Sequence, residues 1–272
     1  MAEFEVVIRD LKSPYGLAFD ADDVLFVSQS GAGLVSRVQD GRVEPFAQTG
    51  SRPCGIAFDD SGDLFVAEGG RHHLILITPD EAVEVYASSC RGRRFASPEE
   101  LCFAPTGDVL FSDAGHGEQE GDGSVYRADL DGEVTEIISG LSSPAGMILS
   151  EDAGVLYVSE RGHHRIVTLE IDAEGNLENH QVFVELKDGG SAECLLFDAH
   201  GQLYASVPGQ GILVIDPEGD TVDTLELPSA ALAGMAFGGL EFDQLFVCEG
   251  DGVYRASVEV PGQRPFAGPR SV

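Results

Sequence analysis

Apolar residues in this chain fall in short runs separated by Gly, Asp and Asn, and the runs return in a fixed order. The clearest unit is Arg52–Ala67, RPCGIAFDDSGDLFVA: Pro, a variable residue, Gly, an apolar run ending in Phe-Asp, a tight turn, and a second apolar run. Versions of it start at Ser13, Ser97, Ser143, Ser191 and Ala231, which makes six copies. The apolar residues that open each turn are Phe19, Phe58, Phe103, Leu149, Phe197 and Phe237, at intervals of 39, 45, 46, 48 and 40 residues. A period of this size marks a repeated supersecondary unit that stacks on its neighbours.

Each of the first five repeats holds four short runs with turn residues between them, the signature of a four-stranded antiparallel meander. The sixth has three, at about 233–237, 244–248 and 252–258. Phe4–Asp10, FEVVIRD, reads as a strand without a hairpin partner, and it supplies the missing fourth strand. Closing a ring in this way removes two exposed sheet edges. The pattern predicts an all-β chain, one six-bladed β-propeller domain over residues 1–272.

With strands named A to D from the axis outward, the A–B and C–D turns are short, among them Asp131-Gly132 and Ala173-Glu174-Gly175. The B–C and D–A connections, such as Ser88–Pro98, Asp113–Gly123 and Glu185–Ala192, are longer and irregular, and they emerge on the opposite face. Function on a rigid scaffold concentrates in such loops. This face carries the mouth of the central channel.

Charge narrows the partners. With 47 acids against 16 bases the formal charge is −31, which repels phosphate backbones and anionic lipid and excludes nucleic acid and membrane surfaces as partners. Such a surface also favours solubility in concentrated salt. No apolar run approaches the roughly 18–20 residues of a membrane span, so a soluble protein is expected. The start, MAEFEVVIRD, lacks a basic region and an apolar core, and points to the cytoplasm. Five cysteines, an odd number, fit reduced thiols, with Cys54, Cys102, Cys194 and Cys248 acting as small buried hydrophobes.

Aligning the repeats on Pro-x-Gly gives the residue that lines the channel in each blade: Tyr15, Cys54, Glu99, Ala145, Glu193 and Ala233. Two are carboxylates, one blade apart. The B-strand ends add Glu68, Asp113, Glu160 and Glu249 to the rim, unless these only face solvent. Converging acids call for a neutralising cation or a shared proton, and a hard divalent ion, Ca²⁺ or Mg²⁺, suits oxygen ligands. Histidines at the B–C loops (His72, His73, His116, His163, His164) raise zinc as an alternative, or a substrate contact at His116. Arg91, Arg93 and Arg94 form a basic cluster on a long D–A loop, able to attract an anionic substrate or to pair with neighbouring acids. No nucleophile elbow, P-loop or dinucleotide motif is present.

The stretches SPAGMILSEDAGVLYVSE, SAECLLFDAHGQLYAS, AFGGLEFDQLFVCE and GVYRASVEVPG resemble the gluconolactonase, regucalcin and luciferin-regenerating-enzyme family, and RHHLILI and HHRIVTL resemble NHL repeats. The resemblance implies a six-bladed propeller in which a divalent metal at the channel mouth opens sugar lactones. It places Lys12 at the family's first-blade Glu, Glu99 at its substrate-side Asn, Ala145 at its metal-binding Asn and Glu193 at its metal-binding Asp.

The expected activity is therefore a lactonase-type hydrolase of a small polar substrate. Glu99 and Glu193 would hold Ca²⁺, with Mg²⁺, Mn²⁺ or Zn²⁺ as alternatives, and Asp113 or the non-ligating carboxylate would act as general base. A metal-free variant pairs Glu99 with Glu193 as acid and base and uses Lys12 to steady an oxyanion. A ring-opening lyase or a non-catalytic ligand- or protein-binding propeller are the competing readings.

Overall fold

A computed structural model describes residues 3–117, 121–172, 175–227 and 231–266. Six four-stranded antiparallel sheets surround a channel. The inner strands are Pro14–Phe19, Pro53–Phe58, Pro98–Phe103, Pro144–Leu149, Cys194–Phe197 and Leu232–Gly238. The last blade is completed by Glu5–Ile8, paired antiparallel with Gly252–Ser257. The propeller and its closure by the N-terminal strand are as the sequence predicts. Of the expected fourth-blade turn, Ala173 and Glu174 lie outside the described residues.

The repeat explains how the blades hold together. The Phe that ends one inner strand packs against an aromatic on the second strand of the preceding blade. Ring centroids are 4.9 Å apart for Phe58 and Phe26, 5.3 Å for Phe103 and Phe65, 5.0 Å for Phe197 and Tyr157, 5.5 Å for Phe237 and Tyr204, and 4.9 Å for Phe19 and Phe246. Between blades three and four Leu149 and Leu110 share the corresponding apolar cluster. Each contact is near the edge-to-face geometry that aromatic pairs prefer.

The Pro-x-Gly segment breaks the ladder. Pairing of first and second strands slips between Pro14 and Leu17, Pro53 and Ile56, Pro98 and Leu101, and Pro144 and Met147. The variable residue is thereby released toward the channel. The glycine lets neighbouring inner strands approach, since a Cβ on Gly234 would lie 2.1 Å from the Tyr15 carbonyl oxygen and one on Gly16 2.5 Å from that of Cys54. Buried serines of the second strands bridge the gap. Ser28 accepts from the Gly16 N–H at 2.8 Å and donates to the Cys54 carbonyl at 2.6 Å, and Ser206 links Cys194 to Ala233 in the same way.

Candidate active site at the channel mouth

Blades three and five deliver Glu99 and Glu193 to the mouth, and the structure brings them together around one tyrosine. The Tyr15 hydroxyl lies 3.5 Å from Glu99 Oε2 and 3.4 Å from Glu193 Oε2. Burial, followed by the charges of Glu99 and Glu193, raises the Tyr15 pKa well above the phenol range, so it remains a proton donor.

Two arginines neutralise the two carboxylates. Arg52 Nη2 donates to Glu99 Oε1 at 2.9 Å and to Ser97 Oγ at 2.7 Å, while the Ser97 hydroxyl donates to the same Glu99 oxygen at 2.9 Å. Arg161 Nη1 donates to Glu193 Oε2 at 2.9 Å, and its Nη2 stands 3.8 Å from Glu99 Oε1. The side chain of Glu99 is only 4% exposed, against 17% for Glu193, 23% for Arg161 and 40% for Arg52, so Glu99 is the anchor and the other three face the opening. Neither arginine was among the sequence candidates. Arg52 opens the RPCG repeat and Arg161 follows Glu160, and nothing in the spacing shows that their long side chains reach the next blade or the axis.

The rim acids do something else. None faces solvent: Glu68, Asp113, Glu160 and Glu249 are all at most 3% exposed. Asp113, expected as a general base, accepts the N–H groups of Ala96 and Ser97 at 2.7 Å each and of Gly115 at 3.1 Å. Its three backbone partners make it a clamp for the loop that carries Ser97. Glu160 accepts the Ser142 N–H at 2.9 Å and the Arg165 guanidinium at 2.7 Å, and Gln29 accepts the Lys12 N–H at 2.8 Å. These side chains hold D–A loops against B strands. Lys12 itself is exposed and makes no ion pair among the described residues, so the charged donors at the carboxylates are arginines.

Two of the histidines turn to the backbone as well, while His163 Nδ1 lies 3.4 Å from Glu160 Oε1. His72 Nδ1 contacts the Ala96 carbonyl, and His164 Nδ1 lies 3.2 Å from that of Gly190. The zinc alternative is not supported by the positions of His72 and His164, which tie their two B–C loops to the following D–A loops. Gly115-His116-Gly117 stands at the edge of the described residues, with the His116 N–H donated to Asp122 Oδ2 at 2.7 Å.

The SMP-30/Gluconolactonase/LRE-like region model matches residues 16–250. The chain belongs to this family. A gluconolactonase of Zymomonas mobilis is 28% identical over 247 residues, covering 82% of this chain and 68% of its own length. A pentonolactonase of Haloferax volcanii is 28% identical over 137 residues, 48% of this chain and 47% of its own. Among solved structures, a gluconolactonase from Xanthomonas campestris superposes with a TM-score of 0.86 at 23% identity, covering 96% of this chain and 90% of that one. A calcium-binding regucalcin from Agrobacterium tumefaciens gives 0.85 at 18%, covering 100% and 98%.

The donor set at this mouth is already neutralised within the chain. Both carboxylates already carry a guanidinium partner, and two positive charges occupy the space that a divalent ion would need. Among the described residues no three His, Cys, Asp or Glu side chains converge closely enough to hold a metal. A hard cation would have to displace Arg52 or Arg161 and stand beside the other, which like-charge repulsion opposes. The Ca²⁺ or Mg²⁺ site expected at Glu99 and Glu193 therefore does not fit these residues.

One further acid lies deeper. Glu100 occupies the glycine position of the repeat and projects into the channel, where its Oε1 accepts the Leu101 N–H at 3.2 Å. Burial pushes its carboxyl up to about 8, the neighbouring acids Glu99 and Glu193 adding to the shift. Below it the channel is a mostly apolar cavity of about 190 Å³, lined by residues such as Phe19, Phe58, Met147 and Phe237 and by Phe266 of the C-terminal segment. The departure from Pro-x-Gly to Pro-Glu-Glu in repeat three is the sequence signal for this group.

Proposed function

We propose that this chain is a metal-independent lactonase that opens a small polar lactone at the channel mouth. The observation that carries this is the shared anchoring of Arg52 and Arg161 on Glu99, which fixes two guanidinium groups beside the more exposed Glu193. Lactone hydrolysis needs a base for water and a positive environment for the oxygen on which charge develops. Glu193 takes a proton from water as the oxygen adds to the carbonyl carbon. The carbonyl oxygen, now negative, lies against the guanidinium groups. The ring C–O bond then breaks, and the leaving oxygen recovers the proton from Glu193. Tyr15, held as a phenol, orients both carboxylates. The lactonases among the relatives support this class of reaction.

The test is acid release from sugar lactones by protein treated with a chelator. Activity should survive chelation, and Glu193→Gln should lower kcat by about 10²–10⁴-fold, the usual worth of a positioned base. Loss of activity on chelation with recovery on adding Ca²⁺ or Mg²⁺ would overturn the metal-independent reading. An unaffected Glu193→Gln variant would remove the base.

A further inference from the structure

Basic residues are scarce in this chain and unevenly placed. Of the 16, ten lie in or at the ends of the mouth-face connections, while the formal charge of the whole chain is −31. Arg71, Arg91, Arg93 and Arg94 are exposed, and none makes an ion pair with a carboxylate among the described residues. In a chain with 47 acids, four neighbouring guanidinium groups without carboxylate partners are a specific arrangement.

Local geometry ties part of this cluster to the active site. The loops Gly50–Arg52 and Gly69–Arg71 exchange arginines across their glycines. A Cβ on Gly50 would lie 2.1 Å from Arg71 Nη2, and one on Gly69 would lie 2.2 Å from Arg52 Nη2. Both glycines are thus required for the arginines to lie where they do. Arg52 leads inward to Glu99, and Arg71 lies on the other side of the same pair of loops. Arg94, on the small hairpin formed by Ser89–Cys90 and Arg93–Arg94, donates to the Arg71 carbonyl at 3.3 Å. Glu68, beside this cluster, is fully buried and turned to the Arg71 backbone N–H, so its carboxylate is not on the surface. Burial, then the Arg94 and Arg71 charges, hold His73 below its ordinary pKa, as expected where cations crowd.

We propose that the substrate carries a tetrahedral oxyanion, a phosphate or sulfonate, in addition to its lactone, and that Arg71 and Arg94 receive it. This rests on the lactonase reading of the mouth. Guanidinium groups recognise such oxyanions with charge-assisted, often paired hydrogen bonds, and an acidic body with a basic mouth directs anions toward the opening.

The test compares kcat/KM for a 6-phosphorylated gluconolactone, a 6-sulfonated one and plain gluconolactone. The wild type should prefer one of the anionic lactones over the neutral one by about tenfold or more, and the phosphate and sulfonate arms decide between the two groups. Arg71→Gln/Arg94→Gln should lower that ratio at least about tenfold, and Arg37→Gln, on the outer part of blade one where Arg37 pairs with Glu44, should leave it unchanged. No anionic preference, or an equal loss in both variants, overturns the proposal. Titration calorimetry with 6-phosphogluconate, the open acid, separates the two readings. Binding that depends on Arg71 and Arg94, with no lactone hydrolysed, would sink the lactonase and keep the anion site. Hydrolysis without such binding would do the reverse.

Discussion

The two faces of the propeller use the same side chains in opposite ways. On the turn face an aspartate opens most of the tight turns and binds the turn itself. Asp20 Oδ1 accepts the N–H groups of Asp22 and Val24, Asp59 those of Ser61 and Asp63, Asp129 those of Asp131 and Glu133, and Asp216 those of Glu218 and Asp220, all between 2.8 and 3.1 Å. Each is a local solution that the repeat copies from blade to blade. On the mouth face Asp113 and Glu160 are buried against the backbone of the loops that enter their blades, while buried Glu99 and partly exposed Glu193 pair with arginines of the preceding blades. An abundance of acids therefore says little about a metal. What neutralises each acid decides its role.

The comparison breaks first at Asp113 if that residue is chemical and not structural. Asp113→Ala leaves three backbone donors without their acceptor, and an unfolding loss of about 3 kcal/mol or more is expected, with kcat reduced because Ser97 and Glu99 lose their support. Denaturant unfolding beside lactone turnover tests it. Lost turnover with unchanged stability would return Asp113 to the role of base.

Between the faces, Glu100 belongs to neither pattern, and pH separates it from both. Its carboxyl titrates near 8 when folded against 4.5 ordinarily, so the folded state holds a proton that the unfolded chain has lost. Stability should therefore fall as pH rises from about 4.5 to 8, and the full penalty is present above 8. Glu100→Gln removes the charge and keeps the size. At pH 9 it should be more stable than the wild type by about 2–4 kcal/mol, with the difference vanishing near pH 4. Equal pH profiles for the two proteins would mean that the channel solvates this carboxylate.

How much of this was readable in advance follows the same division. The propeller, its closure by Glu5–Ile8 and the convergence of Glu99 with Glu193 follow from a repeat that fixes backbone position. The partners of those acids were hidden because arginine side chains are long and cross between blades, so Arg52 and Arg161 bear no fixed offset to what they bind. The backbone partners of Asp113 were hidden because position on a strand end gives the location of a carboxylate but not its hydrogen bonds. Glu100 was visible as a broken Pro-x-Gly, and its meaning needed the enclosure of the channel.

The smallest effect tests whether turn-face acids act as acceptors or as charges. Asp59→Ala removes the acceptor of two turn N–H groups and should cost about 1 kcal/mol, the usual worth of such a side-chain-to-backbone contact. Asp59→Asn retains an acceptor oxygen and removes one negative charge from a chain carrying −31, which relieves repulsion. It should match the wild type within about 0.5 kcal/mol at low salt. If Asp59→Asn instead loses as much as Asp59→Ala, the charge itself matters there. A cation would then be bound on the turn face, and the division between locally satisfied acids on one side and arginine-paired acids on the other would fail.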